Sequence, residues 1–306
     1  YPEDVERGLA AVGRITAEAH RRGYKVIDHF DMTLLWNIGA GFRVLGERLD
    51  EMNRSVRTGL PAYQLCMMNP DLRRKFFDYC RRDVVENGVD GLQLDEVQPW
   101  GHGCQCCHCR AAFRRDTGWH FPIDETSDAW NADSEFMRVW KRWRTKKGTD
   151  TIGELRNFLR KDRPDLVFSA YTTPYGIQSA FDALTNGRDI FDMPRSVNFF
   201  GVEVMSRAVM KSFRGEFSCR RIMSMLSRRN GAPVWNWYYN SDWQNDYTAW
   251  AIDEMTAQIP MLCEVEHPVG TPDYAVFSRG MKREGAVSPA KIAVLFSVEN
   301  RNWNKA

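Results

Sequence analysis

No stretch of the 306-residue sequence stays apolar for the roughly 18 to 20 residues a membrane-spanning helix needs. Charge of one sign is missing too: 42 Lys and Arg against 40 Asp and Glu leave a formal net charge of +2. That is too weak a field to hold a phosphate backbone or an anionic lipid surface, so neither nucleic acid nor membrane is expected as a partner. The six histidines are scattered singly with no HxH pair, which disfavours a histidine-rich catalytic metal centre. Neither GxGxxG nor GxxxxGK[ST] follows any strand-like run, so nucleotide-binding parallel sheets lose ground. The opening residues, YPEDVERGLA, lack both an initiator Met and the basic-then-apolar grammar of a signal peptide, and the expectation is a segment of a longer chain. Eight cysteines are few for a disulfide scaffold of this length.

What is present is a core-forming composition, 43% hydrophobic and 27% charged, laid out as helical stretches alternating with short β-rich runs. Val5, Leu9, Val12, Ile15 and Ala19 recur at helical spacing before Gly23, and the run Tyr24 to Ile27 ends in Asp28, His29, Phe30 and Asp31. Asn69-Pro70-Asp71 opens a second helix that leads to the strand Gly91 to Leu94 and the acidic pair Asp95-Glu96. The unit recurs with strands expected at Val167–Tyr171, Ser196–Val204, Pro233–Trp237 and Pro260–Glu264, the last three joined by helices over Ser218–Arg228 and Ala249–Gln258; a further helix is read over Ile152–Arg160. Repeated β-α units imply an α/β fold with a parallel sheet, and polar residues collecting at strand ends favour the (β/α)8 TIM barrel, whose site is assembled from those ends. Six strands of eight are found. A buried strand from Ile292, after a Gly- and Pro-bearing linker, divides the chain into a partial barrel over 1–287 and the start of a second α/β domain over 288–306.

Four cysteines fall within six positions: Cys104, Cys106, Cys107 and Cys109. Such crowding is hard to pair as unstrained disulfides, whereas C-x-x-C spacing lets one turn of backbone aim two sulfurs at one point. A structural zinc ion is expected, held by Cys104, Cys106, Cys109 and a fourth ligand, for which Cys66, brought near by a barrel, and His102 and His108, nearer in sequence, are rivals, with Cys107 turned away. Loop disulfides or idle thiols are the plainer alternative. Cys80, Cys219 and Cys263 read as small buried hydrophobes.

Asp95 and Glu96 supply the carboxylates that glycosidic cleavage needs, one to protonate the leaving oxygen and another to attack the anomeric carbon or activate water. A solvated or helix-capping acidic pair is the bland alternative. Taken with Cys104-x-Cys106-x-x-Cys109, the following Phe113-Arg114, and Cys66 ahead of the preceding helix, the segment 60–120 resembles the family-42 β-galactosidases and the β-galactosidase-like hydrolases related to them. The resemblance implies Tyr24–Phe30 as the third barrel strand, the first two lying before residue 1. It also implies a structural zinc on Cys66, Cys104, Cys106 and Cys109, an oligo- or polysaccharide substrate, and a trimerisation domain, hence a homo-trimer or other homo-oligomer. Glu96 matches that family's general acid/base, and Asp95 stands where an Asn is usual.

The family's nucleophile, a Glu ending the seventh strand, has no counterpart in Val234 to Asn240, where Asn236 stands instead. Glu203, Glu264, Glu266 or Asp95 itself is left to act. Asp90 to Asp95 also looks like the fourth strand of fucosidase-like α-glycosidases, which end it in an Asp nucleophile. Sugar contacts are expected from His29, Asp31, Trp100, Tyr171 and Trp237, with Asp28, Trp36, Tyr175, Trp235 and Trp243 as further candidates. The rivals are a carbohydrate-binding barrel without catalysis and a metal-dependent hydrolase using His29, Asp31 and a distant acid.

Overall fold

The computed structural model describes residues 2–33, 46–95, 103–131, 133–172, 191–205, 213–239 and 243–261. The chain divides into two compact units, Tyr1–Tyr171 with Phe181–Asn198, and Thr172–Ala180 with Phe199–Ala306. The expected domain boundary at 287–288 lies outside the described residues.

In the first unit α1 (Pro2–Arg21) leads to β1 (Ile27–Asp31), the hairpin β2 (Met52–Arg54) and β3 (Pro61–Leu65), α2 (Pro70–Glu86), β4 (Gly91–Asp95), α3 (Cys107–Thr117), α4 (Glu135–Leu159) and β5 (Val167–Thr172). Helix α2 begins where the sequence says it should: Asn69 Oδ1 accepts from the N–H groups of Asp71 and Leu72 at 3.0 and 3.3 Å, with Pro70 in the first turn. Strand β1, by contrast, starts three residues later than the apolar run suggests. Tyr24 N–H is used to close α1 onto Ala19 O at 2.9 Å, and Val26 N–H is taken by the Asp90 side chain at 2.9 Å, so pairing with β4 starts at Ile27. His29 and Asp31 therefore stand inside the strand rather than beyond its end.

Helix α4 is longer than the Ile152–Arg160 segment anticipated. Ser134 caps it, its Oγ accepting from Met137 N–H at 3.1 Å, and Phe136, Trp140 and Trp143 bury its first half. The charge-dense run Lys141–Asp150 hides that apolar stripe from a reading of spacing alone. The hairpin β2–β3 is also new, its strands too short and its register too irregular to leave a period-2 signal.

Strands β1, β4 and β5 pair parallel in that order, as the β-α rhythm requires. The register is tight: Ile27 lies opposite Gly91, which lies opposite Val167. A Cβ at Gly91 would come within 2.8 Å of the Val167 carbonyl oxygen and 3.2 Å of Ile27 Cγ1, so only glycine lets the three strands close there.

The second unit carries β6 (Phe199–Met205), α5 (Phe213–Asn230), β7 (Val234–Tyr239), α6 (Trp243–Thr256) and β8 (Ile259–Met261), the three strands again parallel. Asn236 is fully buried within β7, not at its end, and donates to Asp253 Oδ1 at 2.5 Å and Gln258 Oε1 at 2.7 Å. Arg220 pairs with Asp253, and Gln258 returns a bond to Arg220 O at 2.6 Å. A buried polar group must find partners; the Asn236 Nδ2 finds them in Asp253 of α6 and in Gln258 just before β8, so its side chain belongs to the packing of this unit. No helix among the described residues is long and apolar enough to cross a membrane.

Candidate active site and cysteine cluster

Because parallel strands in register send equivalent positions to one face, β1, β4 and β5 stack three layers of side chains there. Ile27, Gly91 and Val167 form the first, His29, Gln93 and Ser169 the second, and Asp31, Asp95 and Tyr171 the third, nearest the C-terminal ends. Each layer is more polar than the one before. His29 Nε2 lies 3.4 Å from Asp95 Oδ2, and its ring meets that of Tyr171 edge-on with centroids 5.7 Å apart. One ligating atom from each of His29, Asp31 and Asp95 falls within 4.8 Å of the others. Beneath them the Nε2 of Gln93 and the Oγ of Ser169 are buried and have no hydrogen-bond partner among the described residues.

The hydrogen bond that His29 donates to Asp95 raises the histidine pKa; burial opposes this, and the charges of Asp95, Asp31 and Asp28 add to it. Attraction between imidazolium and Asp95 is thus present below the raised histidine pKa and is lost as pH rises through it. Asp95 itself is 6% exposed, deep enough for such a contact to count.

The other sequence candidates fall away from this face or outside the described residues. Asp28 points to the opposite face of β1, toward Asp83 of α2. Glu96, Trp100, Trp36, Tyr175, Glu264 and Glu266 lie outside the described residues. Register pairs Glu203 in β6 with Trp237 in β7, both in the second unit. Trp235 stacks on Phe199, centroids 4.4 Å apart, as packing.

The cysteine cluster is assembled from three places. Cys66 directly follows β3, its N–H bonded to Glu51 O at 2.9 Å; Cys104 bridges to Ser55 beside β2; and Cys106 and Cys109 open α3. Helix α3 begins at Cys107, so Cys109 lies in its first turn. The sulfurs of Cys66, Cys104, Cys106 and Cys109 all lie within 4.8 Å of one another, with Cys66 at 3.6 Å from Cys106 and 3.5 Å from Cys109. Four sulfurs bound tetrahedrally at about 2.3 Å from zinc would sit about 3.8 Å apart, so the donor set fits that ion. Cys107 is exposed, and all four ligand candidates are buried.

The thiols of Cys104, Cys109 and Cys66 hydrogen-bond Cys106 and hold its pKa far below the ordinary thiol range, while the same contacts push Cys66 and Cys109 well above it. A cation at the centre would let four such groups ionise together. Around them pack Val56, Phe113, Phe121, Phe136, Trp140 and Trp143, the aromatic cluster that sequence reading did not connect to the cysteines.

No family model matches the sequence, and no curated protein does. Among solved structures, the glycoside hydrolase domain of PgaB (BpsB) from Bordetella bronchiseptica superposes with a TM-score of 0.62 at 15% identity, over 86% of this chain and 77% of that one. The fold is α/β, and that glycoside hydrolase domain shares it. The cold-adapted β-galactosidase from Rahnella sp. R3 gives a TM-score of 0.57 at 13% identity, over 81% of this chain and 42% of that one. The β-galactosidase from the psychrophilic Marinomonas ef1 gives 0.54 at 10% identity, over 80% and 45%. This chain thus spans less than half the length of either β-galactosidase.

Proposed function

We propose that the protein hydrolyses glycosidic bonds of an oligo- or polysaccharide, with Asp95 and Glu96 as the working carboxylates. The observation that carries this is Asp95: a buried carboxylate on the last interior layer of β4, beside an imidazole, in a fold shared with glycoside hydrolases. Asp95 attacks the anomeric carbon or stabilises the positive charge that grows on it, and Glu96 protonates the leaving oxygen. His29 aims Asp95 through their contact, while Asp31, Tyr171, Gln93 and Ser169 offer hydroxyl-binding groups on the same face. The β-galactosidase-like assignment rests on the cysteine spacing and the Glu96 position; the fucosidase-like one rests on Asp95 acting as nucleophile. Cys66, Cys104, Cys106 and Cys109 would hold a structural zinc, which leaves no open coordination position for chemistry.

Turnover of a panel of aryl glycosides tests the reading. Asp95→Asn and Glu96→Gln are each expected to lower kcat by roughly a thousandfold or more, the scale of a lost nucleophile or acid. Full activity in either variant removes that residue from the mechanism.

One observation favours a second reading: Asp95 supplies the acid that a metal-dependent hydrolase built on His29 and Asp31 would need, all three donors lying within 4.8 Å. Hydrolysis that disappears with EDTA while the cysteine-bound metal stays in place would select it.

A further inference from the structure

The cysteine cluster is surrounded by groups that favour negative charge, and each comes from a different part of the first unit. The N–H of Arg54 donates to Cys104 Sγ at 3.2 Å, and the N–H of Cys106 donates to the same sulfur at 3.4 Å. Cys106 is the N-cap of α3 and Cys107 and Cys109 lie in its first turn, so the positive end of the helix dipole faces the cluster. These are partial charges. Four thiolates around one divalent ion leave a net double negative charge, and burying it calls for a full one.

Arg144 is placed to supply it. This residue of α4 is 5% exposed, and it shares the wall of a cavity of about 40 Å³ with Cys66, Cys104 and Cys109. Its side chain lies against the backbone of Gly103, the residue before Cys104. A Cβ at Gly103 would fall 2.5 Å from Arg144 Cδ and 2.9 Å from Nη1, and Gly103 has φ +91, so glycine is required there on both counts. Lys147, in the same wall, is already engaged by Asp116 at 2.9 Å.

We propose that Arg144 is the counter-charge of the metal-loaded cysteine cluster, its guanidinium offsetting the negative charge of the zinc tetrathiolate and so setting the affinity for the ion. The inference rests on the zinc reading above. Groups outside the ligand set routinely tune metal affinity 10- to 100-fold.

Zinc affinity of the 306-residue chain, measured by competition with a chromophoric chelator, is the test, paired with the sulfur-to-cobalt charge-transfer band of the cobalt-substituted protein. Arg144→Met is expected to weaken zinc binding by about 10-fold or more and to move the band to lower energy, because a nearby positive charge stabilises the sulfur lone pairs. Arg144→Lys is expected to restore most of both. Should Arg144→Met fail to fold by circular dichroism, Arg144→Gln takes its place under the same criteria. An unmoved band, or equal losses in the neutral and Lys variants, overturns the counter-charge role and leaves Arg144 as packing. Wild-type protein that takes no zinc overturns the metal reading itself.

Discussion

Asp95 and His29 meet because of register. Asp95 is opposite Asp31, and His29 sits two residues before Asp31 on the same face, so the imidazole reaches diagonally across the strand pair to a carboxylate 66 positions along the chain. Two carboxylates directly opposite each other repel, and an imidazolium between them relieves it. His29→Gln keeps a polar side chain but cannot carry charge. It is expected to lower kcat on aryl glycosides by about 10- to 100-fold with KM changed less. In the wild type, activity should fall as pH rises through the raised histidine pKa; a pH–rate profile of His29→Gln should lack that alkaline limb. An identical profile in both would show that His29 only contacts substrate.

At the scale of elements, β1 is used on both sides. Its front presents His29 and Asp31 to the site, while Asp28 behind it meets Asp83, which is fully buried on α2. Asn87 donates to Asp83 Oδ1 at 2.8 Å and to Leu9 O of α1 at 2.9 Å, tying both helices to the pair. Burial raises the Asp83 pKa to about 7, helped by the charge of Asp28, and Tyr79, one turn away, is raised to about 12. His29 is the cationic neighbour; α1 turns its own charges to the surface, where Glu6 meets Arg82 and His20 meets Asp90. A carboxyl raised on folding is protonated in the native state first, so its contribution is full below the unfolded value near 4 and declines as pH rises through about 7. Thermal melts should therefore show a lower Tm at pH 8 than at pH 5.5. Asp83→Asn, which keeps the bond geometry without the charge, should raise Tm at pH 8 by roughly 5 °C and flatten the slope. A slope unchanged by Asp83→Asn would assign the pH dependence to other groups.

On the scale of the whole molecule, the chain is two compact units, and the four clustered cysteines belong to the first of them. They join the hairpin at Ser55, the end of β3 at Cys66 and the head of α3. The aromatic cluster of Phe113, Phe121, Phe136 and Trp140 fills the space beside them, with ring centroids 4.9 to 5.8 Å apart. A metal that binds only the folded arrangement stabilises it by mass action. Purified protein is expected to carry about one zinc per chain. Cys106→Ser should lose the metal, lower Tm and reduce the near-UV signal of the Trp residues in the cluster; retention of metal and Tm would remove Cys106 from the ligand set.

The sequence alone determined the α/β rhythm, because helix periodicity, the Asn69-Pro70 cap and the short apolar strands are local signals that need no partner. It also singled out Asp95 and the four cysteines, since carboxylates at strand ends and closely spaced thiols carry their chemistry with them. What it left open depended on long-range neighbours. The start of β1 was decided by Asp90, 64 residues from the N–H it accepts. The face to which Asp28 turns followed from that start, as a shift in a period of two decides which residues line the site. Asn236 read as an empty catalytic position until Asp253 and Gln258 claimed it within the core. The first half of α4 was masked by charge, and with it Arg144 beside the cysteines. Such placements are tertiary because a buried charge or amide takes whichever partner the packed chain brings to it, and spacing along the sequence does not record which one that is.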